Sequence, residues 1–589
     1  MAGVDTPHEM RIGELFSFFR RILGPERDFY MLAAVYGIGI SLLSLATPIS
    51  VQMLINTVAN TGLTTPLVVL SATLFSLLLF SGLLNALRIH LMEIFGRRFY
   101  ARMVSEIALR SIYAQNPFFI DQGRAPLFNR YFDIIIVQKT IPVLLIGGFT
   151  LILQAGVGFI LVSLYHPLFL GFNLVVALLI WAIWLVWGRG AVRSGINLSH
   201  KKHDAAAWLE NLGASNGFFK SERHVANALT NTDQATAGYV NQHRAHFRQH
   251  FSQTISFLIL YAAASATLLG LGGWLVIQGE LTLGQLVAAE LVLSVAYFGV
   301  SQLGAYLVYF YDLCAAIEEL SHFYGVTQEE PDGEHAVRPA SAELSFVSAK
   351  GVARSRPAVF DFALPSGANI MGGASSYGLQ RLMTNFVKRH EQPDGGYIAF
   401  GGADIKDADP ASLRQEILVL NRPTIIETTI REYLNLSAKT PDPAETLRVL
   451  KIVGLEPLII ELEDGLDTKL AASGWPLSVA EIMQLKLAAA LLAHPRVLIL
   501  NQMFDLIAEE CLVWTIRALR EETETTVIYF SNRRRDLGFD LFLYLDHEEQ
   551  LITGDFDEFY EWAYGAKDEH EPPRLISGDD QPYRLLEKK

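Results

Sequence analysis

A loop that cradles phosphate needs closely spaced glycines, so that backbone N–H groups can turn inward. A lysine and a Ser or Thr hydroxyl must follow, for phosphate charge and for magnesium. No G-x-x-x-x-G-K-[S/T] stretch occurs anywhere in the 589 residues. Thiol chemistry has little support: the two cysteines, Cys314 and Cys511, lie far apart and outside any CxxC spacing. That pattern suits buried thiols of a cytoplasmic compartment. Glu290 stands inside a long apolar run, where an ionisable side chain either lines an ion path or packs near the membrane interface. Tyr297, Tyr306, Tyr309, Phe310 and Tyr311 offer an aromatic wall for a substrate, but lipid-facing or interfacial packing accounts for most of such residues. Read one by one, the residues nominate no catalytic set, no cofactor-binding set and no metal ligands.

The elements that would carry these residues fall into two halves. The chain is 51% hydrophobic and only 18% charged, and its mean hydropathy is +0.27. Extended apolar runs end near residue 310, and most acidic residues follow, so the net charge of -14 belongs mainly to the second half. That charge argues against unspecific nucleic-acid binding. Six runs are long enough to cross a bilayer: about Phe29–Leu54, Pro66–Leu87, Ile141–Leu164, Leu168–Trp187, Phe251–Ile277 and Leu283–Phe310. The first continues past the length of a signal-peptide core, so no cleavable leader is expected, and residues 1–28 read as an amphipathic cytoplasmic lead-in. Lys and Arg are absent from 55–66, from Tyr165-His166-Pro167 and from Gly279-Glu280-Leu281-Thr282. They are abundant before the first run and in 88–140 and 188–250. The positive-inside rule places both termini and both long connections in the cytoplasm. Those connections have few Pro or Gly and are expected to continue the second to fifth spans as helices.

Glu329-Glu330-Pro331-Asp332-Gly333 reads as part of a linker over 326–340. From 341 to 565, short β-rich runs (Gly396–Phe400, Glu416–Leu420, Val497–Leu500, Thr526–Phe530) alternate with helical stretches, which favours an α/β domain with a parallel core. The acidic, Pro-containing residues 566–589 read as a flexible tail.

This order of parts resembles an ABC transporter of the exporter type. Gly279-Glu280-Leu281-Thr282-Leu283-Gly284-Gln285-Leu286-Val287-Ala288 is similar to the family's turn into the sixth span, and Arg130-Tyr131-Phe132-Asp133 to a stretch of its first cytoplasmic hairpin. In the second half, Asp409–Arg414 is similar to the segment before the Q-loop, and Thr429-Ile430-Arg431-Glu432-Tyr433-Leu434 resembles "T-I-R-E-N-L". The fold class implied is a membrane all-α six-helix exporter-type domain over 29–325, with a cytoplasmic α/β P-loop-NTPase-like ABC domain over 341–565.

The resemblance also implies where the chemistry should sit, and each of those positions departs. The phosphate loop matches Gly372-Gly373-Ala374-Ser375-Ser376-Tyr377-Gly378-Leu379-Gln380. Gly378 stands for the lysine, Leu379 for the magnesium hydroxyl and Tyr377 for the last tight glycine. Asn501 and Gln502 follow the Val497–Leu500 strand in place of the expected Asp and Glu, so the acidic magnesium-side ligand and the carboxylate base are both lost. The signature falls on Leu477-Ser478-Val479-Ala480-Glu481, the Q-loop glutamine on Arg422, the switch histidine on Asn532, and the D-loop end on Asp505-Leu506-Ile507-Ala508. The adenine-stacking aromatic falls near Ser348. Arg381, Lys388 and Arg422 are the candidates for a replacement charge.

A degenerate, inactive ATPase domain without cofactor is therefore expected, on a multi-pass protein of the inner (cytoplasmic) membrane. The resemblance implies a dimer, either a homodimer or a heterodimer with an active ABC half-transporter, with membrane lipid around it and room for a further envelope partner. The favoured expectation is a non-catalytic structural, scaffolding or regulatory subunit. The alternatives are a transport-contributing half of a heterodimeric exporter, and an ATP-independent channel or secondary transporter in which Glu290 takes part.

Overall fold

The computed structural model describes residues 12–61, 64–115, 125–329 and 340–565. The expected lead-in before residue 12, much of the linker and the 566–589 tail lie outside these. The chain divides into two compact units between Gln328 and Glu329.

The first unit is helical: α1 (Ile12–Leu23), α2 (Arg27–Leu43), α3 (Ala46–Thr61), α4 (Thr64–Ile112), α5 (Asp133–Val143), α6 (Phe149–Ser163), α7 (Pro167–Ala214), α8 (Glu222–Ile277) and α9 (Leu283–Ser321). Six stretches of it are long and apolar enough to cross a membrane. Among the described residues the two long connections are largely helical, as their composition predicts. The helices α4, α7 and α8 have 49, 48 and 56 residues. At 1.5 Å per residue each is over twice as long as the ~30 Å apolar layer it would cross.

Two of the expected spans are interrupted, each near a proline. The first breaks at Ser44–Leu45. Pro48 has no N–H for the Ser44 carbonyl and its ring clashes with that group. The third contains Pro142 in α5 and then a single π turn, Leu144–Gly148. Against the Gly147–Gly148 pair lies the ring of Tyr306, so close that a β-carbon at 147 would collide with it.

Local chemistry sets the short turns between candidate spans. His166 caps α7 by accepting from the Leu168 N–H at 3.2 Å, with Pro167 in the first helical position. Gly279 ends α8 with φ of +77°, a conformation that costs glycine nothing. Thr282 and Gln285 then form a capping box at the start of α9. A 3.0 Å contact from His166 Nε2 to Glu280 Oε2 ties these two turns together. At the other end of the unit, Val326–Gln328 is not free chain: Val326 is buried and the Gln115 N–H donates to the Thr327 carbonyl at 3.0 Å.

The second unit holds two main sheets. An antiparallel sheet has the order β2-β1-β4-β5, from β1 (Leu344–Ala353), β2 (Arg356–Leu364), β4 (Gly395–Phe400) and β5 (Ala403–Asp404). The central sheet has the order β12-β11-β3-β10-β9-β6, from β3 (Asn369–Ala374), β6 (Ile417–Leu420), β9 (Val497–Leu500), β10 (Thr526–Phe530), β11 (Leu541–Leu545) and β12 (Gln550–Thr553). All its pairings are parallel except that of the edge strand β12. A small ladder joins β7 (Thr428–Thr429) to β8 (Lys469–Leu470). The helices are α10 (Tyr377–Val387), α11 (Pro410–Glu416), α12 (Ile430–Ser437), α13 (Pro443–Ile452), α14 (Glu456–Glu461), α15 (Val479–Ala493), α16 (Glu509–Thr523) and α17 (Phe556–Tyr560).

Alternation along β9 serves two cores. Val497 and Ile499 pack with the antiparallel sheet and α10, while Leu498 and Leu500 pack with α12, α13, α15 and α16. Such double-sided burial explains why this strand reads as a continuous apolar run. All four predicted strands are present to within a residue.

Candidate functional site: an altered nucleotide site

The phosphate loop should leave β3 and turn back before α10. Here β3 continues instead. Its register with β11 runs on to Ala374 opposite Leu545, and the Ser375 N–H donates to the Leu545 carbonyl at 2.9 Å. Ser375 Oγ donates to Asp546 at 2.5 Å. Groups that would face phosphate are thus spent on the sheet. The retained Gly372 has a packing reason, since a β-carbon there would stand 2.8 Å from the Phe530 ring. Leu379, in the magnesium-hydroxyl position, is fully buried in the core.

The lysine position is covered by a residue that the sequence does not suggest. The turn from β1 to β2 is Arg354–Ser355, with φ of +48° and +69°. The Arg354 side chain lies over Gly378, its Cγ 3.0 Å from where a β-carbon would be. Ser348 is elsewhere: it forms a bulge within β1 and donates to Asp361 at 3.2 Å. The residue that meets the loop from the β1–β2 turn is thus Arg354. Of the three proposed replacement charges, Lys388 is misplaced. It caps the far end of α10, an 11-residue helix about 16 Å long. Burial, with Arg414 nearby, lowers its ammonium pKa to about 8. Arg381 is an exposed residue of α10, and Arg422 is half-buried beyond β6.

Asn501 is buried and bonded through both amide atoms. Its Nδ2 donates to the Asn421 carbonyl at 3.0 Å, and its Oδ1 accepts from the Met503 N–H at 3.2 Å. The first bond links the end of β9 to the loop after β6 and requires a donor, which a carboxylate lacks at neutral pH. Gln502 opens the short 3-10 turn that follows.

At the signature, Ser478 and Glu481 form a capping box on α15: the Glu481 carboxylate accepts from the Ser478 N–H at 2.7 Å, and Ser478 Oγ from the Glu481 N–H at 3.4 Å. The helix N-terminus, which would otherwise attract an anion, already holds its own. Val479 is exposed beside it.

The stretches matched to the D-loop and the switch are joined by Asp505, whose bonding the sequence does not show. Asp505 accepts from Tyr529 OH, from Ser531 Oγ at 2.7 Å and from the Asn532 N–H at 3.0 Å. Arg533 closes the network by donating to the carbonyls of Asp505 (3.0 Å) and Ile507 (2.7 Å). The Asn532 side chain itself is exposed.

In the first unit, Glu290 accepts from Ser294 at 3.1 Å, and its Oε2 is buried without a hydrogen-bond partner among the described residues. Tyr297 and Tyr311 are buried packing residues, bonded to Asn173 and Gln253. Tyr309 is exposed.

No protein-family model matches the chain. Among curated proteins, the ABC multidrug transporter mdr2 of Aspergillus fumigatus is 26% identical over 553 residues, which is 86% of this chain and 66% of that protein. The mitochondrial iron-sulfur clusters transporter ATM1 of Saccharomyces cerevisiae is 24% identical over 54% of this chain and 48% of its own length. The alpha-hemolysin translocation ATP-binding protein HlyB of Escherichia coli O157:H7 is 25% identical over 40% and 34%. The chain therefore spans about a third to two-thirds of these relatives. Among solved structures, a bacterial Atm1-family ABC exporter with ATP bound superposes with a TM-score of 0.74 at 17% identity, covering 92% of this chain and 97% of that one. The chain has the ABC-exporter fold, in which a membrane unit of six candidate spans is joined in one polypeptide to an α/β unit of the P-loop NTPase kind.

Proposed function

We propose that this chain is the nucleotide-inert half of an exporter-type transporter and contributes a membrane pathway to a dimer whose other half hydrolyses ATP. The similarity to proteins named as transporters supports exporter-like transport in general, and favours this reading over a purely structural or scaffolding subunit. The observation that supports the inert half is the charge of Glu481, a carboxylate engaged at the start of α15 in the stretch that resembles the signature. The continuation of β3 through Ser375 supports it from the other side of the domain. A homodimer would lack both contributors at each composite site, whereas an active partner supplies its own phosphate loop.

The distribution of Lys and Arg supports an inner-membrane protein with both termini cytoplasmic. The test is purification from the native membrane, with identification of co-purifying chains and a nucleotide-binding assay on the same sample. A stoichiometric half-transporter with intact motifs is expected, together with no saturable Mg-ATP binding by this chain alone. Saturable binding or turnover by the isolated chain would overturn the proposal.

A further inference from the structure

Where the inner extensions of α7 and α9 meet, four side chains that ligate metals converge. His200 comes from α7, Glu318 and Glu319 from the end of α9, and His322 from the turn after it. One ligand atom from each lies within 4.8 Å of all the others. Helical spacing makes the α9 part of the set, since Glu318 and His322 are four apart and share a face. Glu318 is the hub: His200 Nε2 lies 2.9 Å from its Oε2, and His322 Nε2 lies 3.3 Å from its Oε1.

A second observation points to a missing ligand. Glu319 is fully buried, and its Oε1 has no hydrogen-bond partner among the described residues. The other oxygen, Oε2, is held at 2.6 Å by Arg130, so the carboxylate is fixed with one lone pair unused. The nearest cationic candidate to Oε1 is His203 Nε2 at 3.8 Å, which is already committed to Asp133 at 2.7 Å. Leaving a buried carboxylate oxygen unpaired is costly unless something else meets it. Around the four lies an outer layer of the kind that steadies metal ligands, with Arg130 on Glu319 and Asp133 shared by His203 and Lys202.

We propose that His200, Glu318, Glu319 and His322 bind a divalent first-row transition ion, zinc by its ligand class, and so clamp α7 to α9. Two imidazoles and two carboxylates are within zinc's ordinary ligand set. Ligands about 2.05 Å from a tetrahedral ion stand about 3.3 Å apart. The widest pair of the set, at no more than 4.8 Å, therefore closes by at most about 1.5 Å, a shift within reach of side-chain rotation. Binding needs the lone pairs of the imidazole nitrogens, so the Nε2 protons now given to Glu318 move to Nδ1 or leave.

The test uses the full-length chain in detergent, stripped with a chelator and titrated with Co²⁺, whose d–d absorption reports low-symmetry N/O coordination. One Co²⁺ per chain is expected, displaced by Zn²⁺ and retained through gel filtration. Glu318→Gln and His200→Ala should each weaken binding at least about 10-fold. His322→Ala, at a partly exposed position, should do the same while the metal-free variant keeps the parent's circular dichroism spectrum and gel-filtration volume, which separates ligand loss from misfolding. Less than a tenth of an equivalent of zinc by elemental analysis after incubation, or undiminished binding by the His200→Ala/His322→Ala variant, would overturn the proposal.

Discussion

Replacing Asn501 by Asp restores the residue type of an acidic magnesium ligand, and the structure predicts that it destabilises the domain. The Asn501 Nδ2 donates to the Asn421 carbonyl at 3.0 Å in a buried position. A carboxylate oxygen there faces a carbonyl oxygen. The lost hydrogen bond costs about 1 kcal/mol, and the unsatisfied buried carbonyl about 1–3 kcal/mol more. The bond from Met503 to Oδ1 survives and is strengthened by charge, which returns part of this. A net loss of about 2–3 kcal/mol follows, which for a domain of this size lowers the unfolding temperature by roughly 4–12 °C. Differential scanning fluorimetry of full-length protein, with and without Mg²⁺ and ATP, measures it. On the proposed inert reading of the site, the two ligands should leave the shift unchanged. An Asn501→Asp variant as stable as the parent, or one whose loss Mg-ATP repairs, would falsify the reasoning.

Three further outcomes follow from the same unit. Glu481→Ala removes half of the α15 capping box and should cost about 1 kcal/mol, read as a lower denaturation midpoint at unchanged m-value. Gly372→Ala drives a methyl to 2.8 Å from the Phe530 ring and should cost about 1–3 kcal/mol by overpacking, with no change in nucleotide binding. Burial, with Arg414 and Lys388 beside it, pushes the His390 imidazole down to about 3. Neutral Nδ1 stands 3.3 Å from the Arg414 guanidinium as its acceptor. The unfolded state therefore takes up a proton near pH 6.5 that the native state refuses until about pH 3. Stability is fully present above pH 6.5 and falls with acidification through that window, by up to ~1.4 kcal/mol per pH unit. Acid titration of the melting temperature should show this slope, and His390→Asn should flatten it; identical slopes would refute the assignment.

The strands and long helices were legible because each rests on a local pattern. The Val497–Leu500 run is apolar throughout because both of its faces are covered. The interruption at Ser44 was equally available from Pro48, but hydropathy averages over it. What periodicity cannot show is which side chain from a distant element fills a vacated position. Arg354 reaches Gly378 only because the β1–β2 turn lies against α10. The resemblance places Asp505 in the D-loop stretch, but its role as an acceptor for Tyr529, Ser531 and Asn532 depends on groups that arrive from the adjacent strand end. The four ligands of the α7–α9 junction are separated by more than a hundred residues between His200 and Glu318, so no spacing rule joins them.

The continuous helix α8 has a mechanical consequence. It runs unbroken from Glu222 to Ile277, 56 residues without an internal proline. At 1.5 Å per residue it is a rod about 84 Å long. A tilt of only about 5° about one end would swing the other by about 7 Å, more than one turn of helix. Such a rod converts a small rotation into a large stroke and delivers it with little loss to bending. A torque applied near one end of α8 is thereby felt as displacement at the other.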